Sequence, residues 1–183
     1  MSEVILKKKQ RLKEIILEKS LKRGDFILAS GARSNYMFDL KPTMLDPEGA
    51  NLSAELLLEK IVPDIDAVGG LELGACPIVS AVCVISYQLN RRLKTFYVRK
   101  EKKERGTKRL IEGCELKKGD RVIILEDVTT KGGSVMAAVK AVLAEGGVVV
   151  KVLSLVDRQE GATENLAKEG ITLDSIFTRG ELL

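Results

Sequence analysis

Residues 121–134 read R-V-I-I-L-E-D-V-T-T-K-G-G-S, and this stretch constrains the fold more than any other in the chain. Residues 122–125 form an unbroken apolar run, the pattern of a strand buried on both faces of a parallel sheet. Two acids follow, then a turn rich in hydroxyls and glycine, then residues 135–144 with the composition of a helix. Strand, turn and helix in that order put backbone N–H groups at a helix start, where they can hold a phosphate. Gly132 and Gly133 let the main chain approach an anion closely, and Thr129, Thr130 and Ser134 add hydroxyl donors. Glu126 and Asp127 precede the turn, at the carboxyl end of the strand, where they can accept hydrogen bonds from sugar hydroxyls. The stretch suits a phosphorylated sugar. Taken alone, it also fits an ordinary strand–turn–helix whose glycines only make the turn.

The chain holds neither G-x-x-x-x-G-K-[ST] nor G-x-G-x-x-G, so nucleotide P-loops and dinucleotide folds are poor templates. The stretch instead resembles the signature of the type I phosphoribosyltransferases, which bind phosphoribosyl pyrophosphate. Their pattern is four apolar residues, two acids, an apolar pair and a hydroxyl–glycine loop. Here Thr129 takes the second apolar place, and Lys131 stands where a hydroxyl residue is usual. The resemblance implies a sugar-donor site made of Glu126, Asp127, Val128, Thr129, Thr130, Lys131, Gly132, Gly133 and Ser134.

At 183 residues the chain suits one α/β domain with a core mainly of Val, Ile, Leu and Ala. No apolar run is long enough to span a membrane, and residues 1–19 are too charged for a signal peptide. Cys76, Cys83 and Cys114 are odd in number and lack C-x-x-C spacing, which suggests reduced thiols in a cytoplasmic protein and no zinc site. The absence of histidine excludes a histidine base or metal ligand. The net charge of +4 is local: residues 99–109 carry seven cations against Glu101 and Glu104, a net of +5, which leaves the remainder at −1. A compact polyanion such as pyrophosphate fits one such stretch better than duplex nucleic acid does.

In order, residues 3–19 suit an amphipathic helix with Val4, Ile5, Leu12, Ile15 and Ile16 inward, ended by Lys22-Arg23-Gly24. Residues 25–40 suit two short strands hinged at Ser30-Gly31, or by periodicity a hairpin at the sheet edge. Asp46-Pro47-Glu48 opens a helix running to about residue 61, with Leu52, Leu56 and Leu57 inward. A short buried strand at 66–70 leads to L-E-L-G-A-C-P, and Pro77 begins a helix to about residue 90. After a strand at 95–98, residues 99–113 form a long charged loop, blandly a solvated flap. Further strands are expected at 148–156 and 173–177, with a helix at 163–168 between them. Strand–helix alternation predicts a mostly parallel sheet with helices on both faces.

Four phrases, in family order, resemble the orotate phosphoribosyltransferases. S-G-x-x-S-x-Y-x-x-D (30–39) is similar to their N-terminal hood, which places main-chain groups of Met37 and Phe38 at the base. G-G-L-E-L-G-A-C-P-I (69–78) resembles their pyrophosphate loop, with Leu73 where some relatives carry lysine and Ala29 where lysine commonly precedes the hood. R-K-E-x-K-x-x-G (99–106) resembles their catalytic loop, which reaches into the neighbouring subunit. That likeness implies pyrophosphate contacts from Arg99, Lys100, Lys103 and Arg105, with Lys103, Arg105 and Asp127 as catalytic residues. Arg105 stands where histidine is usual; its fork can bind pyrophosphate but cannot shuttle a proton near neutral pH. V-D-R-x-E-G (156–161) resembles the base-recognition segment, in which Arg158 holds the orotate carboxylate, with Thr130 also at the base.

The resemblance implies a type I phosphoribosyltransferase-like fold over residues 1–183, with helix and hood in 1–45 and an α/β core in 46–183. It implies transfer of phosphoribosyl to orotate, giving orotidine 5′-monophosphate in pyrimidine synthesis. Mg²⁺ would be carried by the sugar donor without a protein metal site. The chain would form a homodimer with shared sites, without nucleic-acid or membrane partners. Another base, or a non-catalytic sensor of phosphoribosyl pyrophosphate, is the alternative.

Overall fold

The computed structural model describes residues 2–27, 33–101 and 109–183. Helix α1 (Glu3–Lys19) starts at Ser2, whose hydroxyl accepts from the Ile5 amide. It buries Leu12, Ile15 and Ile16, and Ile5 packs at the margin of the same core. Val4, expected inward, is 59% exposed; it lies about 100° around the helix from Ile5. The helix stops earlier than Lys22-Arg23-Gly24. Buried Ser20 closes it through its amide to the Ile16 carbonyl, while its hydroxyl bonds Thr43 at 2.7 Å. Lys22-Arg23-Gly24 lies instead in strand β1 (Leu21–Ile27), antiparallel to β2 (Arg33–Phe38) with Leu21 opposite Phe38. Polar residues are tolerated there because most of this ribbon faces solvent. The two expected strands thus form a sheet of their own, not the edge of the main one. Their hinge, with Ala29, Ser30 and Gly31, lies outside the described residues.

A short helix α2 (Lys41–Met44) leads to α3 (Pro47–Glu59), where Asp46 caps the Gly49 amide at 2.9 Å. Leu52, Leu56 and Leu57 are buried as expected. The main sheet follows: β3 (Ala67–Leu71), α4 (Ala75–Gln88), β4 (Lys94–Val98), β5 (Ile111–Gly113), β6 (Arg121–Thr129), α5 (Gly133–Ala144), β7 (Val148–Asp157), α6 (Ala162–Ala167), β8 (Leu173–Thr178) and α7 (Arg179–Leu182). Its order is β5-β4-β3-β6-β7-β8, parallel throughout except for β5 against β4. Strand β5 occupies the end of the stretch whose sequence predicts a loop over 99–113. Its signal is short, because only Ile111 of its three residues is buried.

Alternation along β6 builds two cores, as a period of two requires. Ile123 and Leu125 join the layer of α1, α3 and α4, while Val122 and Ile124 join that of α5 and α6. Helices therefore cover both faces of a mostly parallel sheet, as the strand–helix alternation predicts. No helix among the described residues is long and apolar enough to cross a membrane. Cys76, Cys83 and Cys114 are free thiols.

This order places a topological switch between β3 and β6. The chain leaves β3 toward β4 on one side, while β6 begins the run to β7 and β8 on the other. Ligands of open α/β sheets bind in the crevice beyond the strand carboxyl ends at such a point.

Candidate active site

At that switch, the loop after β3 faces the end of β6 across a cleft of about 200 Å³. Glu72, Leu73, Gly74, Lys100, Glu126, Asp127 and Ser134 are among the residues lining it. Close backbone approach makes the cleft narrow. A Cβ on Gly70 would fall 2.2 Å from the Leu125 carbonyl and 2.5 Å from Ala75 Cβ, so glycine lets α4 begin against β6. A Cβ on Gly74 would stand 2.8 Å from Asp127 Oδ1. The Glu72–Leu73 peptide is cis.

The acid pair divides its labour by environment. Asp127 is half-buried, and its Oδ1 accepts from the Val128 amide at 2.8 Å. Glu126 is 5% exposed, with Oε1 accepting from the Asp127 amide at 3.3 Å and Oε2 buried without a hydrogen-bond partner among the described residues. Burial first, and then the neighbouring Asp127 carboxylate, hold the Glu126 carboxyl well above the usual glutamate range. An orphaned carboxyl oxygen at the mouth of a cleft is an open place for a hydroxyl.

The turn after β6 is a cradle with an open centre. Gly132 adopts φ +83°, a left-handed conformation that favours glycine, and it starts α5. A Cβ on Gly133 would meet nothing within 4 Å, so the space beside it is free. Lys131, Gly133 and Ser134 are exposed, and Thr130 is half-buried. Asn165 of α6 donates to the Lys131 carbonyl at 3.0 Å and steadies the loop from behind. Thr129 is turned away. Its hydroxyl donates to Asp157 Oδ1 at 3.3 Å and faces the Val156 carbonyl, so it ties β6 to β7 rather than opening onto the cradle.

Arg158 follows β7 and is 5% exposed. Its amide donates to the Thr129 carbonyl at 2.9 Å, placing it one strand from the cradle. Nη2 pairs with Glu160 Oε1 at 2.7 Å, the guanidinium lies over the Tyr36 ring, and Nε is buried without a hydrogen-bond partner among the described residues. Met37 and Phe38 end strand β2, opposite Lys22 and Leu21, next to Tyr36. Arg99 and Lys100 leave β4 beside the cleft, and the Lys100 amide donates to Glu72 Oε1 at 2.9 Å. Lys103 and Arg105 lie outside the described residues.

The structure thus brings together Glu126, Asp127, Val128, Lys100 and the 130–134 turn. Arg158 lies one strand away, joined to the hood through Tyr36. Sequence reading passed over Tyr36, Glu160, Glu72, Asn165 and Lys41. Lys41 pairs with Asp39 at 2.6 Å, which raises its pKa, and Asp127 adds to that pull. Tyr36, Glu72 and Asn165 act through partners distant in the chain, which no short spacing reveals, whereas Glu160 and Lys41 pair two residues away with Arg158 and Asp39.

The phosphoribosyl transferase domain model matches residues 47–180. Over 177 residues the chain is 48% identical to an orotate phosphoribosyltransferase of Rhodopseudomonas palustris, covering 94% of this chain and 95% of that protein. It is 47% identical to the orotate phosphoribosyltransferase of Methanocaldococcus jannaschii, covering 96% and 97%. Among solved structures it is similar to the Mycobacterium tuberculosis orotate phosphoribosyltransferase in complex with 5-phospho-α-D-ribosyl 1-diphosphate. The TM-score there is 0.78 and the identity 34%, covering 96% of this chain and 98% of that one.

Proposed function

The chain belongs to the orotate phosphoribosyltransferase family, and from that premise we propose how its residues transfer phosphoribosyl to orotate. The product is orotidine 5′-monophosphate, with release of pyrophosphate. The observation that carries the base assignment is Arg158: a buried guanidinium whose Nε has no partner among the described residues, beside a sugar-phosphate cradle, suits a ligand bearing a carboxylate. The 5′-phosphate is assigned to the 130–134 turn and the amino end of α5, and the ribose hydroxyls to Glu126 and Asp127. Pyrophosphate falls to the loop after β3 together with Arg99, Lys100, Lys103 and Arg105. The base lies between Arg158, Thr130 and the main chain of Met37 and Phe38.

In the reaction the bond from C1 of the ribose to pyrophosphate loosens first, leaving positive character on the sugar as in glycoside cleavage. A lone pair of the base nitrogen then forms the new bond to C1, that nitrogen gives up its proton to water or to the departing pyrophosphate, and pyrophosphate leaves with the electrons of the old bond. No side-chain nucleophile takes part. The protein aligns nitrogen, carbon and leaving oxygen, and its cations stabilise the charge growing on pyrophosphate. Glu126, held toward its neutral form, and Asp127 suit hydroxyls better than a divalent ion. Mg²⁺ would then arrive on the donor's own pyrophosphate, where it would supply charge screening of the leaving group. The enzyme is further proposed to be a single-domain cytoplasmic homodimer whose loop after β4 serves the neighbouring site.

A base screen with phosphoribosyl pyrophosphate and Mg²⁺ tests this reading. Orotate absorbance should fall, while adenine, hypoxanthine, guanine and uracil stay unchanged. Turnover of a purine without turnover of orotate overturns it.

A further inference from the structure

We propose that Tyr36, on strand β2 of the hood, is a positioning residue for Arg158, fixing the plane in which the guanidinium meets the base carboxylate. The proposal deepens the reading of Arg158 above and rests on it. Arg158 Cζ lies 5.1 Å from the centroid of the Tyr36 ring, within the range at which an aromatic face attracts a guanidinium. Glu160 takes Nη2 at 2.7 Å. Two contacts of different kinds thus restrict one rigid group: the ion pair holds an edge, and the ring holds the plane.

A guanidinium carries its five donors in a fixed fork, so orienting the plane and one edge also orients the rest. One of these donors, Nε, is buried without a hydrogen-bond partner among the described residues. A buried unpaired donor is unfavourable until an acceptor reaches it. An incoming carboxylate would relieve that condition, whereas a base without one would leave it in place. Tyr36 is itself held still. Its ring meets Phe38 edge-on at 5.6 Å and 70°, and both pack at the core. The hood therefore reads the position of Arg158 through an aromatic face, joining two base-binding segments that are remote in sequence.

The test uses the full chain and steady-state kinetics. The unmodified enzyme is assayed first. Orotate turnover there establishes the underlying reading, whereas its absence overturns that reading and the inference with it. Given turnover, Tyr36→Met keeps bulk but removes the ring face, and should raise the orotate Michaelis constant about tenfold. The constant for phosphoribosyl pyrophosphate should not move. Tyr36→Phe keeps the face and should restore the orotate constant to near wild type. An unchanged orotate constant in Tyr36→Met, or an equal rise in Tyr36→Phe, overturns the proposal. If Tyr36→Met does not fold, fluorinated phenylalanines at position 36 keep the shape while weakening the face. A graded rise in the orotate constant along that series supports the proposal, and a flat series overturns it.

Discussion

The amide of Lys100 donates to Glu72 Oε1 at 2.9 Å, which fastens the root of the cationic loop to the loop that follows β3. Glu72 is fixed in turn, its own amide bonding the Val98 carbonyl at 2.8 Å. The cations after Lys100 therefore spring from a defined point beside the cleft of Glu126 and Asp127. That root leaves two assignments for the cations that follow it in the chain: their own cleft or that of a second subunit.

Mixing two inactive variants distinguishes these cases. Lys103→Ala lacks a loop cation and Asp127→Ala lacks a cradle acid. In a dimer with crossed loops, a mixed pair holds one doubly defective site and one intact site. Equal amounts with random exchange should restore about a quarter of wild-type activity. Exchange is verified by mass spectrometry of differently tagged chains. Activity that stays at the parental level after full exchange means that Lys103 works in its own subunit or not at all.

Asp127→Asn preserves shape while removing the charge that accepts from the ribose hydroxyls. A hydrogen bond to a charged group contributes roughly 1.5–3 kcal/mol, so the affinity for phosphoribosyl pyrophosphate should drop about ten- to hundred-fold. Titration calorimetry measures it directly, and unchanged affinity would remove Asp127 from the site.

Arg158→Ala should raise the orotate Michaelis constant by a similar factor while changing that of the sugar donor far less. It also strands Glu160, whose partner in the folded chain is the Arg158 Nη2. Equal effects on both substrates would assign Arg158 to the architecture of the site instead of to the base.

Glu126 makes stability depend on pH. In the unfolded chain it titrates at about 4.3; in the folded protein burial, reinforced by Asp127, raises that value well above the ordinary range. Ionising it in place opposes folding. The penalty is absent below the unfolded value, grows as pH rises through the folded one, and is constant above it. Glu126→Gln, neutral throughout, should melt higher than wild type at neutral pH, with the two curves meeting at about pH 4. Thermal melts across this range check the prediction, and a gap independent of pH would refute the assignment.

Much of this molecule is legible as local pattern. The apolar run of β6, its acid pair and the glycine turn can be read in a line because strand, turn and helix are adjacent in the chain. The Asp46 cap and the buried Leu52, Leu56 and Leu57 of α3 follow from helix chemistry over a few residues. Patterns weaken where burial is one-sided or brief. Strand β5 buries one residue of three, and Lys22-Arg23-Gly24 reads as a helix stop although it pairs within a mostly exposed ribbon.

The sequence by itself determined the parallel α/β fold, the sugar-phosphate turn and the candidate roles of Glu126, Asp127 and Arg158, since residue type and short spacing carry that chemistry. Tertiary structure alone decided which groups meet. It set β3 beside β6 so that no Cβ fits at Gly74 beside Asp127, and left Glu126 Oε2 and Arg158 Nε buried without partners among the described residues. It also turned the Thr129 hydroxyl toward β7 and laid Arg158 over Tyr36. These relations depend on strand order and side-chain direction across the sheet, and no local period in the chain encodes a contact between segments far apart.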